Sequence, residues 1–526
     1  MTHMSLTKAC CVLAATLLAL PLLGGCNGGS GGAGGSAPSQ GGNPAPARGM
    51  LLGNPTLEQY LPAGTVLTLA QGVSGQPLLG LAGTPVCDVA VYHVEYETIG
   101  GAAESTTASA GLMVPAGSSP GCGGSRPIVL YAHGTSTEKQ FDIADLADPQ
   151  NAEGLLLATF FASHGDIVVA PNYAGYDTSS LPYHPFLVAD QQSADMIDAL
   201  SAARSALPVM SAPVTVDGGK LFVTGYSQGG YVALATERAM QAAGQTVTAS
   251  GAMSGPYALA AFVDAEFFGQ VSMGAPVVGT LLFTGYQHAY GNIYASPSDV
   301  FSSPYASDIG TLLPSTQSRS QLYAQRLLPE YAFFSATPPD PAYADITPPA
   351  TPTNLAAVFA QGFGSANLIT NSFRLAYLLD AQANPDGGFP SISSDVPAAS
   401  PALPLRAALA HNDLRNWVPS APTLLCGGDQ DPEVYFFNTT LMQQYWQQHG
   451  APTAPVSVLD LEAPVGSGDP YATLKQGFEA EKLATAAAAI AQGATDGGAS
   501  AVANAYHSTL VPPFCLAAVV SLFASH

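Results

Sequence analysis

The rhythm of apolar positions changes several times along this chain, and each change predicts an element. Residues 88–98 alternate apolar with polar through Tyr92-His93-Val94-Glu95-Tyr96-Glu97, the period of a strand covered on one side. Gly100-Gly101 then predicts a tight turn into a second, antiparallel strand over 104–114. Short continuous apolar runs follow at 127–132, 166–170, 220–224, 246–253, 421–426 and 456–461. Unbroken runs of that length predict strands buried on both faces. Between them lie helical patterns at 153–164, 188–207, 230–243 and about 434–448. In the second of these, Asp195, Asp198 and Arg204 are expected to face outward. Strands alternating with helices predict an α/β architecture with a mostly parallel central sheet covered by helices.

The rhythm breaks between 254 and 419, a long stretch rich in Pro, Tyr, Phe and Ala. It divides the chain into a first core part over 51–255, an inserted cap or lid over 256–419, and a second core part over 420–526. An independent second domain is the alternative. Alanine dominates 474–492, which predicts a further helix. No internal repeat of 20–50 residues is evident.

The N-terminus reads as an address. Lys8 precedes an apolar stretch over 9–23, and Leu23-Gly24-Gly25-Cys26 resembles a bacterial lipobox. That implies a signal peptide over 1–25, lipid attachment at Cys26, and a flexible Gly/Ser/Pro-rich linker over 26–50. Asn27 in place of Asp leans towards the outer membrane. Secretion after ordinary signal cleavage is the alternative.

Composition removes some partners. With 14 Lys+Arg against 37 Asp+Glu, the formal charge is −23, which disfavours nucleic acid. Of seven cysteines, Cys10 and Cys11 leave with the signal and Cys26 takes the lipid. Cys87, Cys122, Cys426 and Cys515 remain, an even number in an exported chain, and two disulfides are expected. Three connectivities are possible. Local topology favours 87–122 and 426–515, with buried free thiols as the alternative. No Cys/His cluster has zinc-like spacing, and no metal is expected.

The chemistry centres on Gly225-Tyr226-Ser227-Gln228-Gly229, a G-x-S-x-G sequence at the end of an apolar run. Such a pattern between strand and helix predicts a sharp elbow that exposes the serine Oγ. Gly28-Gly29-Ser30-Gly31-Gly32 also matches, but no strand precedes it and no helix follows. A serine needs a base, and the base an orienting acid. On this architecture the chain order is Ser, Asp or Glu, then His. That order leaves His449, His507 and His526 of the ten histidines. His507, on an expected loop before a final helix near Pro512, is the candidate base. The acid is expected in Gly427–Glu433. Asp431 puts Val434 and Tyr435 in register, and Asp429 is the alternative, the unused aspartate capping the next helix. Two backbone amides, of Gln228 and Thr135, are expected to hold an oxyanion. His133 comes too early in the chain to be the base.

Taken together, Tyr131-Ala-His-Gly-Thr135, Val168-Val-Ala-Pro-Asn-Tyr-Ala-Gly-Tyr176, the Ser227 pentapeptide, Gly428-Asp-Gln-Asp431 and His507 resemble the secretory lipase family of the lipase A type. The resemblance implies an α/β-hydrolase fold and hydrolysis of carboxylic esters or triacylglycerols. It also implies no cofactor, and catalytic roles for Ser227, Asp431 and His507. The partners implied are a small-molecule or lipid ester and, through Cys26, a membrane. Asn172 departs from the family, where Asp is common. Prolyl-type peptidase and polyester or phenolic-ester hydrolase are the alternatives among enzymes, and a binding lipoprotein lies outside them.

Overall fold

The apolar runs become strands, and their burial explains their composition. A computed structural model describes residues 47–74, 80–148, 151–210, 215–386, 396–397, 400–450 and 454–526. The expected signal peptide, Cys10, Cys11, Cys26 and the second G-x-S-x-G match lie outside them. The strands are β1 (Leu51–Leu61), β2 (Asp88–Ile99), β3 (Ser105–Ala116), β4 (Gly124–Ala132), β5 (Ile167–Pro171) and β6 (Thr215–Tyr226). They continue as β7 (Ala249–Met253), β8 (Phe334–Ser335), β9 (Phe363–Gly364), β10 (Thr423–Gly427) and β11 (Val456–Asp460). Nine form one sheet in the order β1-β2-β3-β5-β4-β6-β7-β10-β11, while β8 and β9 pair on their own. From β5 to β11 all neighbours are parallel. At the other edge β1, β2 and β3 are antiparallel.

Every residue of β5, β7 and β10 is buried, because both faces of the sheet are covered. Leu130 and Val223 share one core with the helices Ala189–Ala206 and Gln228–Ala242. Their neighbours Val129 and Phe222 point the other way, into a core with Ala152–Phe160 and Val511–Ala524.

Several expectations are corrected. β1 and the helix Ala63–Ser74 were not legible in the sequence pattern. The expected tether does not extend through residue 48: Arg48 donates to Asp198 at 3.0 Å, and the Gly49 amide donates to Glu97. Asp195 and Asp198 do not face outward. They are three apart, so they share the stripe that meets β2. Asp195 accepts from the Tyr96 hydroxyl at 2.7 Å and the Ala174 amide at 2.6 Å, and Asp198 from Thr98 at 2.8 Å. Arg204 is exposed and pairs with Asp217.

The crossovers locate a crevice. The connection from β4 to β5 runs through Ala152–Phe160 on one face, and that from β6 to β7 through Gln228–Ala242 on the other. The chain therefore leaves the carboxyl ends of the neighbours β4 and β6 in opposite directions, which opens a cleft above them.

Between the paired strands β7 and β10 lies the long segment that broke the rhythm. It contains the helices Leu259–Phe267, Ala275–Tyr290, Asn371–Ala383 and Pro404–Asn412 and the small β8/β9 pair. Buried cations organise it. Arg406 joins Asp264 and Asp380, each at 3.0 Å, and Arg415 joins Asp413 at 2.9 Å and Asp386 at 3.0 Å.

Candidate active site

β6 ends at Tyr226, the helix Gln228–Ala242 starts one residue later, and Ser227 occupies the corner with φ 58° and ψ −123°. Non-glycine residues seldom adopt that conformation, and it persists only where the surroundings enforce it. Here the Ser227 amide donates to the Met253 carbonyl at 2.9 Å, fastening the corner to the end of β7. The corner is also tight. A Cβ at Gly229 would collide with the Ala132 carbonyl of β4, and one at Gly225 with the Gly229 carbonyl.

His507 is not on a loop. It lies on a π-helical turn, Tyr506–Leu510, within a helical run from Ala499 to Ala524. Such turns insert a residue and re-aim a side chain, frequently at functional sites. The Tyr226 hydroxyl holds the His507 carbonyl at 2.5 Å. Next to it, the Tyr506 hydroxyl donates to Glu462 at 2.8 Å, and Lys482 of the alanine-rich helix Ala472–Ala491 holds Glu462 at 2.7 Å.

From this turn His507 Nε2 meets Ser227 Oγ at 2.8 Å, and its Nδ1 meets Asp431 Oδ2 at 2.7 Å. Asp431 is only 1% exposed, and its second oxygen accepts the amides of Glu433 at 2.9 Å and Val434 at 3.0 Å. Both carboxylate oxygens are thus committed. Asp429 is exposed and takes no part. Nor does it cap the next helix, Phe437–Gln448, which has no side-chain cap. Burial by itself disfavours the His507 cation, but Asp431, Glu433 and Glu153 outweigh it and push the imidazole up to about 9.

The cysteines pair as 87–122, with Cα atoms 5.3 Å apart, and as 426–515, at 5.6 Å. The second bond ties β10, which leads to Asp431, to the helix that follows His507.

Neither the Gln228 amide nor the Thr135 amide has a hydrogen-bond partner among the described residues. Gln228 turns its side chain away from the cleft, Nε2 lying 2.7 Å from His184 Nε2. His184 Nδ1 faces the Ala174 carbonyl at 2.9 Å, and burial holds this imidazole down at about 3, so it stays neutral. His133 is a loop support. It is fully buried, stacks on Tyr173 at 4.2 Å, faces the Gly134 carbonyl at 2.6 Å, and is held down at about 4 by burial.

Glu153 is a participant that sequence reasoning missed. Its carboxylate accepts the Gly134 amide at 3.1 Å and the Tyr131 hydroxyl at 2.6 Å, bracing the Thr135 loop from behind. Burial pushes it up to about 7. No local motif marks it, since 19 positions separate it from Gly134. Asn172 has its own explanation. Its amide nitrogen donates to Ser109 and Asp142, each at 2.9 Å, and its oxygen accepts the Ile143 amide at 2.8 Å. An aspartate could not make the two donations. Nearby, His93, Asp142 and Asp177 place their ligand atoms within 4.8 Å of one another. His93 pairs with Asp177 at 2.7 Å, Ser109 donates to Asp177 at 2.6 Å, and Asn172 occupies Asp142.

Ser227 and His507 open into a cavity of about 500 Å³. Its inner wall is apolar, with Phe262, Val263, Phe267, Val277, Leu282 and Phe283 from the segment between β7 and β10. That segment also grips the loops of the site. The Ser315 amide donates to the Thr137 carbonyl at 2.8 Å, and the Lys139 amide to the Ser315 carbonyl at 2.7 Å. On the other side the Met273 amide donates to the Pro432 carbonyl at 2.9 Å, and the Tyr435 hydroxyl to the Gln270 carbonyl at 2.9 Å.

No protein-family model matches this chain, and no curated protein matches its sequence. Solved structures do match. A ligand-bound form of the rice cell wall degrading esterase LipA from Xanthomonas oryzae is 26% identical with a TM-score of 0.65, over 91% of this chain and 100% of that one. A protein from Legionella pneumophila, 18% identical with a TM-score of 0.60 over 90% of this chain and 98% of that one, shares the fold. Candida antarctica lipase A, at 10% identity and a TM-score of 0.46, is too distant to bear on function. The chain has the α/β-hydrolase fold and, along nearly its whole length, is similar to an esterase of that fold.

Proposed function

We propose that this protein is a serine carboxylic-ester hydrolase, of the esterase or lipase kind, working through an acyl-enzyme on Ser227. The observation that carries the reading is the unbroken chain Asp431–His507–Ser227, with contacts of 2.7 and 2.8 Å, its Ser227 and His507 lining a cavity with an apolar wall. His507 Nε2 takes the hydroxyl proton as Ser227 Oγ attacks the ester carbonyl. Asp431 fixes the tautomer and stabilises the imidazolium that results. The carbonyl oxygen, now charged, is received by the idle amides of Gln228 and Thr135. The imidazolium then protonates the departing alcohol, and water repeats the sequence to release the acid. The apolar wall under the intervening segment, acting as a cap, takes the acyl chain. Cys26, if lipidated, would hold the enzyme at the cell envelope, and detergent-phase partitioning of wild type and Cys26→Ser reads this directly. The similarity to an esterase supports the class of reaction. Release of p-nitrophenol from p-nitrophenyl butyrate, with an initial burst, is the expected outcome. A purified, folded protein that releases none would overturn the reading. A series of longer acyl chains then measures how far the apolar wall extends.

A further inference from the structure

In the segment between β7 and β10, the buried carboxylates among the described residues are Asp264, Glu266, Asp380, Asp386 and Asp413. All but Glu266 are paired with Arg406 or Arg415. No cation pairs with Glu266 among the described residues. Its Oε1 accepts the Ser272 hydroxyl and, at 3.4 Å, the Ser272 amide. Its Oε2 has no hydrogen-bond partner among the described residues, yet is not one of the unpaired polar atoms sealed inside the protein. Glu266 is 7% exposed and lines the catalytic cavity, so this oxygen opens into that cavity. A buried acceptor without a donor is costly, and a ligand that supplies one recovers the cost.

The helix places that oxygen within the apolar wall. Leu259, Phe262, Val263, Glu266 and Phe267 of the helix Leu259–Phe267 all line the cavity, at the three- and four-residue spacing of one helix face. Along that face Glu266 stands two turns, about 10 Å, beyond Leu259. The helix follows shortly after Met253, whose carbonyl accepts the Ser227 amide at 2.9 Å. Ser272, which holds the carboxyl, lines the cavity too, as does Val277. Glu266 is thus a single acid set among the side chains against which a substrate chain would lie. Burial pushes it up to about 7 against the pull of Ser272, so acid and carboxylate coexist near neutrality. A hydroxyl suits either form, donating to the carboxylate or accepting from the acid. An ammonium would have to leave water to lie beside Phe262, Val263 and Phe267, at far higher cost.

We infer that Glu266 is a specificity-determining residue, selecting esters whose acyl chain carries a hydroxyl at the level of this carboxyl. The inference rests on the ester-hydrolase reading above, with the acyl chain on the apolar wall. The test pairs methyl 8-hydroxyoctanoate, 10-hydroxydecanoate and 12-hydroxydodecanoate with the unsubstituted methyl esters of the same lengths, at pH 8. The ratio of kcat/KM within each pair cancels effects on the triad. For wild type that ratio should peak at one length, where the terminal hydroxyl reaches Glu266. Glu266→Leu should lower the peak about ten-fold, and through KM, because the bond exists in ground and transition states alike. Glu266→Gln should retain part of it. The methyl ether of the favoured ester, which cannot donate, should lose the preference. A wild-type ratio without a peak, or a peak that survives Glu266→Leu, overturns the inference. So does an amino ester of that length preferred over the hydroxy ester, or an ether that keeps the preference. Hydroxyalkyl acetates form a second arm, and a peak there instead would put the alcohol on the wall and overturn the acyl selection. Calorimetry on the Ser227→Ala protein, with the same hydroxylated and unsubstituted methyl esters, reads the preference without turnover. If wild type cleaves no ester, the ester-hydrolase reading fails, and the calorimetry still decides whether Glu266 holds the hydroxyl.

Discussion

The sheet scaffold and the segment between β7 and β10 treat buried charge in opposite ways. In the scaffold, apart from Asp198, which Arg48 also holds, buried carboxylates are held by amides, hydroxyls and one histidine: Asp431 by Glu433, Val434 and His507, and Glu153 by Gly134 and Tyr131. In the segment, apart from Glu266, which Ser272 holds, they are matched by arginines, Arg406 between Asp264 and Asp380, and Arg415 between Asp413 and Asp386. A carboxylate held by dipoles keeps its charge available to a neighbour, here His507. A carboxylate matched by a guanidinium has spent that charge on holding helices together. The difference teaches where chemistry and where stability reside: substitutions in the first region should cost turnover, and those in the second should cost folding.

The largest expected effect lies in the scaffold. Ser227→Ala should lower kcat by roughly 10⁶-fold, since members of such a unit act together, and leave the melting temperature within a degree or two. Steady-state kinetics and a thermal melt on one preparation check both halves. Asp431→Asn should cost on the order of 10⁴-fold, because an amide favours the wrong imidazole tautomer. Asp429→Asn should stay within about two-fold of wild type, being exposed. Equal losses would move the acid.

Stability changes should come next. Replacing Cys426 and Cys515 by serine opens a loop of 89 residues. On the chain-entropy argument this costs about 4–5 kcal/mol, and it is the one scaffold change expected to lower both stability and turnover. Denaturant melts with a parallel activity assay read it. Arg415→Met should cost about 3–5 kcal/mol, because Asp413 and Asp386 would be left buried and unpaired. If the surviving protein has unchanged kcat, the division of labour holds. A fall in kcat without a fall in stability would break it.

The smallest effect is in the pH profile. The base must be neutral to accept the serine proton, and His507 is pushed up to about 9. Activity should therefore climb about ten-fold per pH unit from neutrality towards 9, instead of levelling near the ordinary imidazole value of about 6.5. Glu433→Gln should move that limb to lower pH. The linked stability has the opposite sense. A raised folded value favours the folded protein below about 6.5, and the contribution fades as pH rises through about 9.

The scaffold was far more legible than the segment. Short apolar runs at β4, β5, β7 and β10 announce themselves because parallel strands are buried on both faces. Ser227 stands out because its corner demands glycine on either side, and Asp431 because Val434 and Tyr435 stay in register with it. β1 escaped notice, its strand being half exposed and irregular in register. The π-turn around His507 escaped because nothing in Tyr506-His507-Ser508 encodes one extra residue per turn, which the contacts of Tyr226 and Tyr506 impose. Glu153, Asp195 and Asp198 escaped for one reason: their partners are distant in sequence, so polar residues that spacing assigns to solvent are buried. Between β7 and β10 the pair Arg406 and Asp264 spans 142 positions, and no periodicity reports it.

The bonds from Ser315 to Thr137 and Lys139, and from Gln270 and Met273 to Tyr435 and Pro432, have a mechanical consequence. The segment is stitched at one place to the strip that offers the Thr135 amide and at another to the strip that carries Asp431. It cannot swing away as a whole without pulling apart the machinery beneath. Any widening of the entrance has to come from bending inside the segment, with both seams left shut, and catalytic geometry would then be indifferent to whether the doorway is ajar. On the ester-hydrolase reading proposed above, dissolved and emulsified esters should then be turned over at similar rates.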